Sequence, residues 1–211
     1  MEIVLASGNL GKLREFESNL DSCPLVIRPK SDFGIPDPEE TGRTFRENAL
    51  IKARAASRHC GLPALADDSG LAVDGLDGAP GVHSARYAGP GASDRQNIAK
   101  LLGRLEGMQS GMRSATFHCV IAMVQHGEDD CPALFFGSWA GRIATTPSGS
   151  HGFGYDPVFY LPEFDCTAAE LGPEVKNAVS HRARALEQFR EWIRKADFPS
   201  DILNPNNGEE S

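Results

Sequence analysis

The sequence predicts an α/β fold of mixed α+β type, built around a long mixed β-sheet. Short apolar segments suited to strands alternate with longer segments whose apolar residues recur every three to four positions, as on one face of a helix. Hydrophobic residues make up 40% of the 211 residues and charged residues 24%, as is usual for a folded protein of this length. Because no internal repeat or linker divides the chain, we expect one domain over residues 1–198 and a disordered polar tail over residues 199–211.

The N-terminal part predicts strands near residues 2–7 and 25–28, with a helix over about residues 11–20 between them. A loop rich in Pro, Gly and acidic residues follows. Thr44 then starts a capping box with the glutamate three positions later, which predicts a helix to about His59. The apolar face of this helix carries Phe45, Ala49, Ala53 and Ala56.

The middle of the chain predicts two short strands, at residues 64–67 and 71–73, followed by a Gly/Pro-rich segment over residues 75–91. Ser93 is expected to cap a further helix that ends between residues 103 and 107. We therefore expect a strand–turn–strand unit that leads into a third helix.

The C-terminal part predicts two long strands at residues 115–125 and 133–143, joined by a polar turn. A glycine-dense loop over residues 149–154 separates them from a last strand near residues 158–161. The final helix is expected to start at Ser180, with an inward face formed by Ala183, Leu186, Phe189 and Ile193.

The overall composition argues against several classes of protein. A net charge of −8 disfavours a broad nucleic-acid-binding surface, which needs a basic face. No apolar stretch is long enough to cross a bilayer and the first residues show no signal peptide, so we expect no membrane partner. The five cysteines are scattered without a C-x-x-C pair, which argues against a disulfide framework or a zinc site and fits a cytoplasmic protein.

Four polar segments are candidates for a functional site, and the first is SGNLGK at residues 7–12. It lies between a strand and a helix, where free backbone N–H groups attract phosphate, glycines allow close approach and Lys12 adds charge. It is not a Walker A loop, because only two residues separate Gly8 from the Gly-Lys pair and Leu13 follows. On its own, the segment is explained more simply as an ordinary strand–helix turn.

The second and third segments supply carboxylates. EETG at residues 39–42 leads into a helix in which Asn48 and Lys52 share a face, although a solvated helix surface would account for these residues too. ADDSG at residues 66–70 places two adjacent carboxylates at a strand end, which suits Mg²⁺ because hard cations take oxygen ligands and often only one or two carboxylates. A turn capped by Asp explains one acid readily and two less well, since like charges repel unless a cation offsets them.

The fourth segment combines GFGYDP at residues 152–157 with Lys176 and the sequence Ser180-His181-Arg182. Aromatic residues in a glycine-rich loop can stack on a base, and Arg182 in the first turn of a helix can donate to a carbonyl or a phosphate. An isolated His or Arg here would more often lie on the surface, and Ser180 as an N-cap needs no function. Together the four segments supply the parts of a metal–triphosphate site.

Five long motifs follow one another along the chain: SGNLGK, EETGRTFRENALIKA, ADDSGLAVDGLDGAPGVHSARYAG, GFGYDPVF and AELGPEVKNAVSHR. In content and order they resemble the inosine triphosphate pyrophosphatase family, also called the dITP/XTP or deaminated-purine pyrophosphatases, and most closely its bacterial branch. The likeness extends from Ile3 to about Trp192, and five motifs in the same order make a chance match very improbable.

The resemblance implies two lobes around the central sheet, a nucleotide cleft between them, and a homodimer. It also implies an enzyme that uses Mg²⁺ to hydrolyse ITP, dITP and XTP to a monophosphate and pyrophosphate, removing them from the nucleotide pool. Glu40 and Asp68 would hold the metal, and Asp68 would also be the catalytic base. The substrate would be bound by Ser7, Gly8, Asn9, Leu10, Gly11, Lys12, Lys52, Ser69, Phe153, Gly154, Tyr155, Asp156, Lys176, His181 and Arg182.

Within this set, the resemblance places residues 7–12 and Lys52 around the triphosphate, residues 153–156 as a shelf for the base, and Lys176, His181 and Arg182 against the base. Donors aimed at the 6-oxo group of a purine would accept inosine and xanthosine, whereas adenine would present its amino group to another donor. An unmatched buried donor costs about 1–3 kcal/mol. Because guanine shares the 6-oxo group, its rejection must depend on its 2-amino group.

Three alternatives stay open on the sequence alone. A Maf-type pyrophosphatase acting on other modified nucleotides would use similar chemistry, but the GFGYDP and SHR segments argue against it. A nucleotide sensor that binds without turnover would not need the complete set of Lys12, Glu40, Asp67 and Asp68. A nucleic-acid-processing protein is disfavoured by the acidic charge balance.

Overall fold

The computed structural model of the protein describes residues 1–21 and 23–195. Within that part, seven strands form one sheet and five α-helices accompany it, which confirms the predicted mixed α/β class. The strands are β1 (Glu2–Leu5), β2 (Val26–Pro29), β3 (Ala64–Val73), β4 (Ser114–Val124), β5 (Ala133–Ile143), β6 (Phe159–Leu161) and β7 (Cys166–Thr167). The helices are α1 (Leu10–Leu20), α2 (Phe45–Cys60), α3 (Asp94–Arg104), α4 (Pro173–Val179) and α5 (His181–Lys195).

The sheet is mixed, with the strand order β2-β1-β3-β4-β5-β6-β7. β1 pairs in parallel with β2 on one side and with β3 on the other, whereas every later pair, from β3 with β4 to β6 with β7, is antiparallel. Parallel neighbours need a crossover connection, and α1 provides it between β1 and β2. The long antiparallel strands β3, β4 and β5 contribute residues to apolar clusters at both of their ends and so join the two lobes.

The first two helices begin where local signals place them. Asn9 caps α1 by accepting a hydrogen bond from the backbone N–H of Lys12 at 3.0 Å. Thr44 and Glu47 form the predicted capping box at the start of α2. The alanine face of α2 is buried against the sheet as predicted, because small side chains let the helix lie close to the strands: Ala49, Ala53 and Ala56.

The prediction of two short strands at residues 64–67 and 71–73 is wrong, because β3 is one continuous strand from Ala64 to Val73. Ser69 and Gly70 suggested a turn, but β4 pairs with β3 over its whole length, with Gly70 opposite His118. Pairing with a strand about fifty residues away thus overrides the local turn signal. Successive side chains of a strand point to opposite faces, so Asp67 and Asp68 lie on different sides of the sheet.

Three hydrophobic clusters form the core and define the two lobes. On one face, α1 and α5 pack on the sheet around Leu65, Phe135 and Phe189. On the opposite face, α2 covers a cluster that includes Ala66 and Ala122. The third cluster lies at the far ends of β3, β4 and β5, where α3 contributes Ile98 and Leu101, and Trp139 and Phe159 come from the strands.

The C-terminal region contains two elements that the sequence did not predict, α4 and β7. Helix α4 has only seven residues and β7 only two, and elements of this length carry little periodic pattern. The final helix starts within one residue of the prediction, and its expected inward face is buried: Ala183, Leu186, Phe189 and Ile193. The predicted tail over residues 199–211 lies outside the described residues. None of the helices in the described part is long and apolar enough to span a bilayer.

Candidate active site

A cleft of about 450 Å³ opens between the two lobes. Its walls come from the β1–α1 turn, α2, β3, the segment before α3, the loop before β6, and the α4–α5 region. Fifteen of the seventeen residues predicted for the site line it: Ser7, Gly8, Asn9, Lys12, Glu40, Lys52, Asp68, Ser69, Phe153, Gly154, Tyr155, Asp156, Lys176, His181 and Arg182. Residues far apart in the sequence therefore meet at one site.

The other two predicted residues, Leu10 and Gly11, do not line the cleft. The side chain of Leu10 points to solvent, with the residue 68% exposed. Gly11 packs beneath the Phe153 ring, since a Cβ on Gly11 would lie 2.5 Å from Phe153 Cδ1. Gly11 thus lets the base-side loop approach α1. A direct contact of either residue with substrate stays a prediction.

The turn between β1 and α1 presents the N-terminus of a helix to the cleft. Asn9 accepts a hydrogen bond from Lys12 N, and Ser7 Oγ accepts one from Asn9 N at 3.3 Å. These two bonds fix the turn, while the N-terminal N–H groups of a helix and the side chain of Lys12 favour an anion in front of it. Lys12 Nζ lies 2.9 Å from Asp67 Oδ2, so this lysine is drawn toward the sheet.

Asp67 is a buried anchor for two cations. Its Oδ2 lies 2.9 Å from Lys12 Nζ and 3.0 Å from Arg182 Nη2, while its side chain is only 1% exposed. Burial alone would raise the pKa of Asp67, but the charges of Lys12, Arg182 and Lys52 outweigh burial and hold the pKa far below its usual range. Asp67 is therefore ionised and holds both cations at the cleft floor.

Asp68 lies on the opposite face of β3 and belongs to a carboxylate centre with Glu40. Lys52 Nζ bridges the two acids, at 2.8 Å from Asp68 Oδ1 and 3.1 Å from Glu40 Oε1. Burial raises the pKa of Asp68 above its usual value, although Lys52 offsets part of the rise. Burial would also raise the pKa of Glu40, but Lys52 and Arg86 outweigh burial and lower this pKa.

Two residues of this centre were missed by sequence reasoning as functional residues. Arg86 Nη1 lies 2.8 Å from Glu40 Oε2. Arg86 lies within the motif at residues 66–89, but no role was predicted for it. Asn48 was noted only as sharing a helix face with Lys52. Its Nδ2 donates to Asp68 Oδ2 at 3.3 Å and its Oδ1 accepts from Gly42 N at 2.8 Å. Asn48 therefore ties the Glu40 loop to Asp68.

The other end of the cleft is formed by Arg182, Lys176 and Phe153. Lys176 Nζ and the Arg182 guanidinium lie 4.7 and 5.8 Å from the centre of the Phe153 ring. Glu15, which sequence reasoning also missed, contacts both cations and is 3.0 Å from Lys176 Nζ. Its spacing of three residues from Lys12 along α1 was the one available signal, since such residues share a helix face.

Arg182 is fully buried apart from its access to the cleft. Burial alone would lower the pKa of Arg182, but Asp67 and Glu15 outweigh it and raise the pKa, so the guanidinium is charged. It donates to Asp67 from Nε and Nη2, to Ser69 Oγ at 2.8 Å, and to Glu15 from Nη1. A guanidinium has five N–H groups, so these four bonds leave one N–H, on Nη1, for a ligand.

His181 is uncharged in this environment. Burial lowers the pKa of His181 well below its ordinary value, and the neighbouring charges of Arg182 and Lys176 act in the same direction. The imidazole stacks on Phe117 with ring centres 4.7 Å apart and planes within 8°. Its Nδ1 is buried without a hydrogen-bond partner in the described part of the chain. A neutral imidazole can serve as donor or acceptor toward a ligand.

The glycine-rich loop before β6 is held in place by Asp156 and Tyr155. Asp156 Oδ2 accepts from Phe153 N at 2.9 Å and lies 2.5 Å from Lys176 Nζ. The Tyr155 hydroxyl donates to Ser84 O at 2.8 Å, and its ring belongs to the far hydrophobic cluster. Both residues line the cleft, but their polar groups are used inside the protein to orient Phe153.

The sequence profile of the Ham1 family matches residues 3–192, which is the extent expected from the five motifs. The chain belongs to the Ham1 family. Among the curated relatives of this Ham1-family chain, a dITP/XTP pyrophosphatase of Photorhabdus laumondii subsp. laumondii is 51% identical over 195 residues, covering 92% of this chain and 99% of the relative. A dITP/XTP pyrophosphatase of Coxiella burnetii is 52% identical over 196 residues, with coverage of 93% and 98%.

Solved structures of Ham1 proteins share the fold described above. A HAM1 protein from Coxiella burnetii superposes with a TM-score of 0.87 at 52% identity, covering 93% of this chain and 100% of that one. The Staphylococcus aureus Ham1 protein superposes with a TM-score of 0.80 at 43% identity, covering 92% and 98%. These likenesses confirm the family and the mixed α/β fold inferred from the sequence.

Proposed function

We propose that this chain hydrolyses the non-canonical purine nucleoside triphosphates ITP, dITP and XTP to the monophosphate and pyrophosphate, and so removes them from the nucleotide pool. The observation that carries this proposal is the arrangement of the cleft. A carboxylate centre of Glu40, Asp68 and Lys52 lies between a phosphate-facing helix N-terminus and a base-facing end formed by Phe153 and Arg182. The names of relatives at 51% and 52% identity support the same substrate class.

We further propose Mg²⁺ as the cofactor, held by Glu40 and Asp68. The two carboxylates are close enough to share Lys52, and both line the cleft. No group of three or more metal-ligating side chains occurs among residues 1–21 and 23–195. This donor set fits Mg²⁺, which usually takes one or two carboxylates and completes its coordination with water and substrate phosphates. When bound, the ion supplies electrostatic stabilisation of the triphosphate charge.

The residues of the cleft have distinct tasks in the proposed reaction. Water attacks the α-phosphorus, the bond between that phosphorus and the α–β bridging oxygen breaks, and pyrophosphate leaves. Asp68, whose carboxylate lines the cleft and shares Lys52 with Glu40, accepts a proton from the attacking water. Lys12 and Lys52 offset the negative charge that develops on the leaving pyrophosphate.

Base selection follows from the one N–H of Arg182 that no side chain of the described residues uses. Directed at a purine, this donor pairs with the 6-oxo group of hypoxanthine or xanthine but meets the amino group of adenine. Phe153 offers a ring face for stacking beside it. Discrimination by one unmatched donor is about 1–3 kcal/mol, to which the shape of the site adds.

A panel of triphosphates with identification of the products tests the proposed function. With Mg²⁺, we expect release of pyrophosphate from ITP, dITP and XTP far faster than from ATP or GTP. Equal rates on all purines would contradict the specificity, and orthophosphate as the first product would contradict the site of cleavage. Asp68→Asn should lower turnover by about 100- to 10,000-fold without unfolding the protein. Binding without turnover by the unmodified protein would favour a nucleotide sensor instead.

We also propose a homodimer in the cytoplasm. All five cysteines are free thiols, as is usual in a reducing compartment. For the dimer, the supporting feature is the face of β5 on which Phe136, Ser138 and Ala140 are exposed. Half of the Phe136 surface is accessible, which is unusual for a large aromatic residue in a long central strand.

A further inference from the structure

Lys30 places a positive charge beside the turn at Ser7–Gly8. In the parallel pair of β1 and β2, Leu5 lies opposite Pro29, so the next residue, Lys30, lies beside the start of the Ser7–Gly8 turn. A Cβ on Gly8 would be 3.3 Å from Lys30 Cε and 3.4 Å from Lys30 Nζ. The absence of a side chain at Gly8 therefore leaves room for the Lys30 ammonium next to the turn.

The only described partner of the Lys30 ammonium is the carboxylate of Asp37, which lines the cleft. The two side chains differ sharply in exposure. That of Lys30 is 12% exposed, whereas that of Asp37 is 80% exposed. A carboxylate in water is released from an ion pair at little cost, because solvation replaces most of the lost attraction.

The lysines that line the cleft, Lys12, Lys52 and Lys176, are paired with less accessible acids than Asp37. Lys52 lies against Asp68 and Glu40, whose side chains are 10% and 26% exposed. Lys12 is paired with Asp67, whose side chain is 1% exposed, and Lys176 with Asp156, whose side chain is 3% exposed. Releasing either lysine would leave a carboxylate buried without a partner, which is costly. A polyphosphate entering the cleft therefore gains a free cation most easily from Lys30.

We propose that Lys30 binds the terminal phosphates of the substrate and of the pyrophosphate product, with Asp37 as a displaceable counterion. In the free enzyme Asp37 neutralises Lys30; when polyphosphate binds, Asp37 moves into solvent and the ammonium pairs with phosphate. The inference rests on the proposed function, because it assumes that phosphates lie in front of the Ser7–Gly8 turn. It adds to that function a residue that selects for the polyphosphate part of the ligand.

The test compares binding of inorganic pyrophosphate and of inosine monophosphate by calorimetry at one fixed Mg²⁺ concentration. Lys30→Met should weaken pyrophosphate binding by about 10- to 100-fold and leave monophosphate binding unchanged. Asp37→Asn should act in the opposite direction, tightening pyrophosphate binding by about two- to fivefold, because the competing carboxylate is removed. Arg28→Met is the matched control, since it removes a positive charge two residues away whose partners are Glu2 and Asp32.

The proposal is overturned if Lys30→Met binds pyrophosphate as Arg28→Met does, or if Asp37→Asn weakens pyrophosphate binding, as it would if Asp37 held the metal. Melting temperatures of all variants are compared first, and Lys30→Gln replaces Lys30→Met should the latter fail to fold. Turnover of dITP by the unmodified enzyme is measured in parallel. No pyrophosphate release there would reject the proposed function, whereas normal release with unchanged Lys30→Met binding would reject only the role of Lys30.

Discussion

At the residue scale, the buried guanidinium of Arg182 is held between carboxylates from two elements, Glu15 of α1 and Asp67 of β3. Charges of this kind are stabilised only while every partner is present, because a buried ion left unpaired costs several kcal/mol. The same contacts fix the direction of the remaining Nη1 donor. Stability and the proposed base selection at this end of the cleft therefore depend on the same few atoms.

Replacing Arg182 by Lys separates these two effects. The variant keeps a positive charge for Asp67 and Glu15 but loses the forked donor array, because an ammonium cannot reproduce guanidinium geometry. We expect the preference for dITP over dATP, measured as the ratio of their kcat/KM values, to fall by about 10- to 100-fold. Arg184→Lys on the same helix is the control, since Arg184 is exposed and donates to Ser138 O. An unchanged ratio in Arg182→Lys would reassign base selection.

Glu15→Gln should lower the free energy of unfolding by about 3 kcal/mol at pH 7, because Arg182 and Lys176 lose a buried partner. Burial acts to raise the pKa of Glu15, but Arg182 and Lys176 outweigh it, so the folded pKa lies below the ordinary 4.5. The contribution of a carboxylate with a lowered pKa is complete above its ordinary pKa and is lost as the pH falls. The stability difference should therefore shrink below pH 4.5.

Urea unfolding measures this difference. Tryptophan fluorescence monitors the unfolding of Glu15→Gln and of the unmodified protein at pH 7, 5 and 4. Glu17→Gln, on the exposed face of the same helix, is the control and should change stability by less than about 0.5 kcal/mol. A stability difference for Glu15→Gln that stays constant with pH would show that the ionised form of Glu15 is not what stabilises the fold.

At the scale of elements, β3 organises the cleft by its alternation. Asp67 faces α1 and α5 and holds Lys12 and Arg182, whereas Asp68 faces α2 and meets Lys52. The two adjacent carboxylates thus lie on opposite faces of the sheet and pair with different cations, so they do not repel each other within one small site. The continuity of the strand through Gly70 is what maintains this arrangement.

Gly70→Ala tests how tightly β3 is packed at this point. A Cβ at position 70 would lie 2.5 Å from Gly81 O and from Ser84 Oγ, so the segment that carries Arg86 would have to move. We expect a loss of about 1–3 kcal/mol in unfolding free energy, together with lower turnover. Gly103→Ala is the control: it lies in α3 with no atom within 4 Å of the added Cβ, and should stabilise by about 0.5–1 kcal/mol. Equal stability changes in the two variants would contradict the expected close packing.

At the scale of the whole molecule, the cleft exists because the long strands β3, β4 and β5 join the two clusters of apolar side chains in one lobe to the third cluster in the other lobe. The lobe with α1, α2 and α5 supplies the proposed phosphate side, while the far lobe supplies Arg86 and part of the wall on the proposed base side. The outward face of β5 remains open in a single chain, with Phe136 half exposed.

Sedimentation equilibrium at micromolar concentration should give twice the 22.7 kDa of one chain. If the open face of β5 lies in the dimer interface, Phe136→Glu should shift the mass toward one chain, because a buried unpaired charge opposes association. Glu128→Ala, at the exposed tip of the β4–β5 connection, is the control and should leave the mass unchanged. A single-chain mass for the unmodified protein would reject the homodimer, and a dimeric Phe136→Glu would place the interface elsewhere.

Elements whose signals lie within a short segment were predicted correctly from the sequence, whereas an element that depends on pairing with a distant segment was not. α2 was predicted to within one residue at both ends, because Thr44 and Glu47 form a capping box within a single turn. β4 and β5 were predicted for the same kind of reason, because the apolar pattern of each strand lies within its own segment. β3 was predicted as two strands because its continuity depends on pairing with β4.

The candidate site shows the same division. The sequence by itself determined the mixed α/β class, the family, and most residues of the cleft, because these follow from local patterns and from motifs that are contiguous in the chain. Only the tertiary structure assigned partners to them. Asn48 meets Asp68, Glu15 meets Arg182, and Arg86 meets Glu40 across distances in sequence that no local pattern spans. The physical reason is that ion pairs and strand pairing form between surfaces that only packing of the whole chain brings together.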